Sequence, residues 1–115
     1  MQKVLTENEI DLLFKALADT TRRKIVELLS QQDAGVKELA SYFTHSLPSL
    51  MQHINVLEKA GLIRTNKVGR VRTCTIEREK LDVVEAWIEE QHKVWESRFD
   101  QLDQFLIDKK DNKDG

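Results

Sequence analysis

Residues 46–63 have the sequence SLPSLMQHINVLEKAGLI, which predicts a helix with well-marked ends. Ser46 is a good N-cap, because its hydroxyl can accept a hydrogen bond from a free amide of the first turn. Pro48 lies in that turn, where its missing N–H removes no helical hydrogen bond. Gly61 follows the helix at the position where glycine commonly ends one. Apolar residues at spacings of four and three form one buried stripe: Leu50, Ile54 and Leu57.

The opposite face of this helix is polar. With the stripe turned inward, a rotation of about 100° per residue places these residues outward: Pro48, Ser49, Gln52, Asn55 and Lys59. Serine, asparagine and glutamine hydrogen-bond to base edges, and glutamine can bond N6 and N7 of adenine together. We therefore predict a recognition helix over residues 46–60, with these DNA contacts: Ser46, Pro48, Ser49, Gln52, His53 and Asn55. His53 lies at the edge of the stripe, where a phosphate contact and simple packing are equally open.

The apolar pattern changes to a period of two after Gly61. Residues 62–67 and 71–76 bracket the sequence VGR and predict a β-hairpin that turns at glycine. Its basic residues suit phosphates: Lys67, Arg70 and Arg72. The predicted order is a short helix, a tight turn, a capped helix and a basic hairpin at residues 62–76. This order is typical of a winged helix-turn-helix that binds double-stranded DNA. The alternative is an ordinary polar helix face beside an ordinary basic hairpin.

Three shorter helices are expected before this segment. Residues 8–18 carry an apolar face that includes Ile10, Leu13 and Phe14. A second helix begins after a cap at Asp19 or Thr20, and a third covers residues 36–43. The inward residues of these two helices are Ile25, Val26, Leu28, Leu29, Leu39, Ala40 and Phe43.

Residues 79–108 predict one long helix that is rich in charge and aromatic residues. The apolar faces of the first and last helices exceed what the small core can cover, so we expect them to form a homodimer interface. Its predicted residues are Ile10, Leu13, Phe14, Trp87, Trp95, Phe99 and Leu102. The gap at Gln91 and His92 in this interface is either a polar pocket or a wet seam. A rival hypothesis is a helical interaction module that pairs through this last helix with another protein and binds no DNA.

Length and composition limit the class of protein. The 115 residues predict one mainly α domain with a small β-hairpin (α+β) over residues 1–108, and a disordered tail over 109–115. No apolar run is long enough to span a membrane and the first residues lack a secretion signal, so a cytoplasmic protein is expected. The formal net charge is −2, yet residues 41–73 carry five basic residues and one acidic residue. That local balance favours a polyanion partner.

Three segments resemble the ArsR/SmtB family of bacterial repressors. ALADTTRRKIVELL (16–29) is similar to the family's "ALADPTRRxIL" signature, and residues 46–63 with GRVRTCTI (69–76) resemble its recognition helix and wing. The resemblance runs from Ile10 to Leu106 and implies a homodimer that binds an operator palindrome and is released by a signal. It also implies that the dimer interface can hold a small-molecule effector. Thr20 stands where the family usually has proline, and Met51 where many members have a DNA-contacting serine. The form SLPSxMQH is typical of a branch that lacks metal sites.

The resemblance also raises the question of metal ligands. The family's thiolate site needs a cysteine cluster on the helix before the recognition helix, and VKELASYF (36–43) has none. The last helix offers only His92 with Glu89 and Glu96, which is either a weak zinc site across a dimer or, as we expect, a solvated histidine. No cofactor is therefore predicted.

Catalytic and redox roles find little support in the sequence. The single cysteine, Cys74, is either a small buried hydrophobe or, with Arg72 two residues away, a redox sensor. No phosphate-binding glycine loop, catalytic triad or paired catalytic carboxylates are present, so an enzyme is not expected.

Overall fold

The computed structural model describes residues 2–114, and the side chains of residues 8–109 among them. The elements within this range are α1 (Gln2–Leu17), α2 (Thr20–Gln31), β1 (Ala34–Gly35), α3 (Val36–Ala40), α4 (Leu47–Lys59), β2 (Ile63–Val68), β3 (Val71–Ile76) and α5 (Arg78–Asp114). The three strands form one antiparallel sheet in the order β1-β3-β2. The predicted fold class, mainly α with a small β part, is confirmed.

The first three helices differ from the prediction mainly at their ends. α1 begins at Gln2 rather than at residue 8. Asp19 is the N-cap of α2, and its Oδ2 accepts a hydrogen bond from the Arg22 amide at 3.0 Å. α3 ends at Ala40, before the predicted end at residue 43, because the amides of residues 41–43 bond to carbonyls only three residues back. Those tight turns lead the chain into α4.

The sheet contains one strand more than predicted. β1 pairs with β3 in the register Ala34 to Cys74 and Gly35 to Thr73. Two residues are too few to show a period of two, so the sequence pattern did not predict this strand. The hairpin itself is confirmed: β2 pairs with β3 from Ile63–Ile76 to Val68–Val71, and its turn is two residues long.

One core joins α1, α2, α4 and the sheet. Its buried residues are Leu13, Ala16, Ile25, Val26, Leu29, Leu39, Leu50, Ile54, Leu57, Ala60, Leu62, Ile63, Cys74 and Val84. Leu13 was predicted to lie in a dimer interface, and this assignment is wrong. Its side chain is 0% exposed inside this core, so it offers no surface to a partner chain. Phe14, its neighbour, is 36% exposed.

The last helix spans the boundary between two compact units, Met1–Val84 and Glu85–Gly115. Its first turns belong to the first unit, where Leu81 and Val83 pack against the core. The helix ends at Asp114, later than the predicted end at residue 108. The disordered tail predicted for residues 109–115 falls mostly on positions whose side chains lie outside the described residues, and it stays a prediction. Within residues 2–114, no helix has the length and apolar character needed to cross a bilayer.

Gly61 ends α4 as predicted, with φ +83. A Cβ built at this position would lie 3.0 Å from Lys80 Cε, so space and backbone conformation both favour glycine. Gly35 has an ordinary φ of −74, and its nearest neighbours to an added Cβ lie at 3.6 Å. Gly35 is therefore a suitable control position for testing the conformational requirement at Gly61.

We predict that Gly61→Ala lowers the free energy of unfolding by about 1–2 kcal/mol, because alanine is strained in the left-handed region. Gly35→Ala should change it by less than about 0.5 kcal/mol. Urea denaturation followed by circular dichroism measures both values. Equal losses in the two variants would contradict this explanation of Gly61.

Candidate nucleic-acid interface

α4 places its apolar side in the core and its polar side in solvent. Leu50, Ile54 and Leu57 are each at most 1% exposed. Gln52 and Asn55 on the other side are exposed, as is Lys59 in the last turn. The orientation predicted for this helix is therefore confirmed, while its contacts with DNA stay a prediction.

The first turn of α4 is open to solvent. The Ser46 hydroxyl accepts a hydrogen bond from the Ser49 amide at 3.3 Å, which confirms the predicted N-cap. Ser46 and Pro48 are exposed, and Ser49 is partly exposed. A helix N-terminus carries partial positive charge, so this end of α4 is favourable for a phosphate group.

The β2–β3 hairpin, which we call the wing, carries cations that are not ion-paired. Lys67, Arg70 and Arg72 are exposed, and within residues 8–109 none of their side chains makes an ion pair or a hydrogen bond. Arg64 on the same hairpin differs, because its guanidinium is 2.9 Å from a carboxylate oxygen of Glu77. The three unpaired cations are therefore available to an anionic partner, and Arg64 is not.

A groove of about 460 Å³ lies between the start of α3, the start of α4 and the wing. Lys37 lines it together with the three wing cations, and Leu47 and Met51 of α4 form part of its floor. Glu38 is the one carboxylate among its lining residues. The helix and the wing therefore border one continuous basic surface.

His53 lies on the side of α4 that faces α2. Its Nδ1 is 3.2 Å from Nη1 of Arg22, and its side chain is 20% exposed. Sequence reasoning missed this contact, since the two residues are 31 positions apart and neither helix pattern relates them. The one available signal was a histidine at the edge of a buried stripe, in a chain whose second helix begins with paired arginines.

Cys74 lies fully inside the core, on the strand that pairs with both neighbours. Burial raises the pKa of its thiol, and the charge of Arg72 opposes that rise only in part. A buried, protonated thiol is a poor nucleophile. Of the two alternatives for this residue, the structure favours the small buried hydrophobe.

Possible metal ligands are not clustered in the part of the chain that the structure describes: residues 8–109 hold no group of three histidine, cysteine or acidic side chains suited to an ion. His92, Glu89 and Glu96 are all exposed on α5. This arrangement provides no set of zinc ligands within residues 8–109 of one chain.

The second unit, Glu85–Gly115, exposes an apolar face. Trp95 and Phe99 pack edge to face with ring centroids 4.7 Å apart, and the Arg98 guanidinium lies 5.9 Å from the centre of the Trp95 ring. Large apolar side chains that remain about half exposed in this unit are Trp87, Ile88, Val94, Trp95, Phe99, Leu102, Phe105, Leu106 and Ile107. So much exposed apolar surface on one helix is typical of an interaction site.

Comparisons with known proteins agree with this geometry. The family model described as "Bacterial regulatory protein, arsR family" matches residues 19–65, which run from the N-cap of α2 into β2. The crystal structure of the ArsR family transcriptional regulator RHA00566 is 52% identical in sequence. The match covers 79% of this chain and 94% of that chain, with a TM-score of 0.77. The chain belongs to the ArsR family of transcriptional regulators.

Two further relatives bear on function and fold. The "Transcriptional repressor SdpR" of Bacillus subtilis (strain 168) is 40% identical over 58 residues, which is 50% of this chain and 64% of SdpR, slightly less than two thirds of that protein. The NMR structure of the homodimeric winged helix-turn-helix DNA-binding domain Mb0332 from Mycobacterium bovis is 19% identical. The match covers 81% of this chain and 88% of the Mb0332 domain with a TM-score of 0.66, and at this identity it supports the fold alone. The relatives are regulators rather than enzymes, so the expectation that this ArsR family chain is not an enzyme is confirmed.

Proposed function

We propose that the chain is a homodimeric repressor that binds an operator palindrome in double-stranded DNA through α4 and the wing. The observation that carries the proposal is the basic groove, because it lies between the start of α4 and the unpaired cations of the hairpin. The family supports the same role, and a regulator that binds DNA is expected in the cytoplasm. A helical interaction module that binds no DNA has no need of this basic surface.

The proposed contacts divide into two groups by their chemistry. Base edges in the major groove are contacted from the start and outer face of α4 by Ser46, Pro48, Ser49, Gln52 and Asn55. Phosphates are contacted by Lys67, Arg70 and Arg72. The phosphate contact predicted for His53 is less favoured, because Nδ1 of its ring is directed toward Arg22 rather than solvent.

We predict that Gln52→Ala weakens binding to the preferred duplex by about 1–3 kcal/mol and relaxes base preference at one position of each half-site. The physical reason is the loss of two hydrogen bonds to one base. Fluorescence anisotropy against the preferred duplex and its single-base variants measures this effect. Gln31→Ala, on the exposed surface of α2, is the control and should bind like the wild type. If Gln52→Ala kept both affinity and base preference, the proposed base-contacting face would be wrong.

We predict that Arg70→Ala weakens binding to all duplexes alike and lowers the slope of log affinity against log salt by about one for each phosphate that is no longer neutralised. Arg70 makes no ion pair within residues 8–109 and lies at the turn of the wing. The matched control is Arg64→Ala, because the charge of Arg64 is already engaged by Glu77. Salt titrations of the three proteins separate these cases. Equal slopes for wild type and Arg70→Ala would exclude a phosphate contact at this position.

We further propose that the homodimer forms through the apolar face of α5 together with Ile10 and Phe14 of α1. Pairing around a two-fold axis spaces the recognition helices for successive major grooves, about 34 Å apart. The predicted interface then consists of Ile10, Phe14, Trp87, Trp95, Phe99 and Leu102. A hollow of about 400 Å³ bordered by Trp95, Arg98 and Phe99 is a candidate place for a small-molecule effector.

We predict that Trp95→Asp converts the dimer to a monomer and abolishes operator binding, because a carboxylate would be buried without a partner. Sedimentation should give twice the chain mass of 13.4 kDa for the wild type and the single chain mass for the variant. Lys93→Asp, on the opposite side of the helix, should stay dimeric. A monomeric wild type that bound the operator tightly would refute the dimer proposal.

A further inference from the structure

A polar network lies where the end of α1, the start of α2 and the middle of α4 meet. Its centre is Arg22, whose Nε donates a hydrogen bond to the Ala16 carbonyl at 2.8 Å. Nη2 of the same side chain donates to the Lys15 carbonyl at 3.0 Å. These carbonyls belong to the last turn of α1, where a helix leaves carbonyls without their usual amide partners, and the Lys15 carbonyl also accepts from the Ala18 amide at 3.2 Å. Arg22 therefore caps α1 although it belongs to α2.

The third nitrogen of the Arg22 guanidinium points at the recognition helix. Nη1 lies 3.2 Å from Nδ1 of His53. A guanidinium is always a donor, so Nδ1 must accept, and an imidazole that accepts at Nδ1 is neutral and carries its proton on Nε2. The contact thus specifies both the charge and the tautomer of His53.

A second partner lies near the same imidazole nitrogen. The Asp19 carboxylate oxygen Oδ2 is 3.7 Å from Nδ1 of His53. The hydrogen bond from the Arg22 amide holds the pKa of Asp19 below its ordinary value, so this group stays a carboxylate in weak acid. If Nδ1 gains a proton, it can no longer accept from Arg22 and is attracted to Asp19 instead. Protonation of Nδ1 therefore replaces Arg22 by Asp19 as the partner of His53.

The other neighbour with a titratable ring is His45, in the turn before α4. Its ring meets the His53 ring edge to face at 5.6 Å between centroids, and its Nε2 is 3.3 Å from the Thr21 hydroxyl. The titratable and charged groups seen to face His53 in residues 8–109 are thus Asp19 and Arg22 from the start of α2 and His45 from the turn. A proton on His53 would place a second positive charge beside the Arg22 guanidinium, and Asp19 is the carboxylate among these three neighbours.

We propose that Arg22 and His53 are positioning residues, which hold the recognition helix against the capped end of α1 in its DNA-binding orientation only while His53 is neutral. The inference rests on the proposed function, DNA binding through α4, and adds a residue pair and a proton dependence to it. Histidine is the side chain that ordinarily changes charge between about pH 5 and pH 8, which makes the idea testable under native conditions.

A positioning role and a phosphate contact of His53 predict opposite changes in DNA affinity on acidification. A histidine that contacts a phosphate gains a positive charge on acidification, so binding to DNA would strengthen. A positioning histidine loses its hydrogen bond from Arg22 on acidification, so binding would weaken. One titration therefore distinguishes the two roles.

The probe is a duplex selected from a randomised pool by the wild-type chain, with affinity measured by fluorescence anisotropy between about pH 8 and pH 5.5. The wild type should lose about tenfold in affinity on acidification, the size expected for a hydrogen bond to a charged group. His53→Asn places an amide oxygen at the position of Nδ1, so it should keep the affinity seen at high pH and lose the pH dependence. His53→Ala lacks the acceptor and should bind weakly at both ends of the range.

Two controls address the remaining histidines. His92→Asn, on the exposed surface of α5, and His45→Asn, beside His53, should both keep the pH dependence of the wild type. The proposal is overturned if acidification strengthens binding by the wild type, or if His53→Asn titrates like the wild type.

A readout independent of DNA comes from nitrogen NMR of the His53 ring. At about pH 8 the spectrum should show Nδ1 unprotonated and Nε2 protonated, and Arg22→Lys should alter these shifts. A proton on Nδ1 at that pH would overturn the proposal whether or not DNA binds. If selection enriches no duplex, the proposed function fails, and the ring spectrum still decides whether the Arg22–His53 pair exists.

Discussion

Burial of the apolar stripe of α4 is the interaction on which the rest of the structure depends. Leu50, Ile54 and Leu57 are among the most deeply buried side chains, and they contribute on the order of several kcal/mol in total by leaving water. Because a helix is rigid, the same burial determines which side chains face solvent. Gln52 and Asn55 are displayed not by any interaction of their own but by the packing of their neighbours.

The two ends of α4 determine how the helix is placed relative to the wing. The cap at Ser46 begins the helix beside the groove, and the left-handed Gly61 returns the chain at once into β2. The short hairpin then carries its cations alongside the start of the same helix. A chain with a small net negative charge can thus hold a strongly basic local surface, since its acidic residues lie mostly elsewhere in the sequence.

Local sequence signals predicted these parts well and the long-range contacts poorly. Ser46 and Gly61 were identifiable because capping depends on residues next to each other in the chain. Leu13 was misplaced because an apolar face shows that a residue is buried, but not whether its own core or a partner buries it. β1 was missed since its register depends on a strand far away in sequence. The role of Arg22 was hidden for the same reason: two of its acceptors lie on α1 and a third lies on α4.

The distribution of two rare residue types has a practical consequence. Both tryptophans, Trp87 and Trp95, lie in the unit Glu85–Gly115, whereas the single cysteine lies in the core of the unit Met1–Val84. Intrinsic tryptophan fluorescence therefore reports on the surroundings of two positions of the last helix. Thiol labelling of Cys74 instead requires that the core open, so its rate measures the free energy of local or global opening. Two separate spectroscopic and chemical signals can thus follow assembly and folding in the unmodified chain.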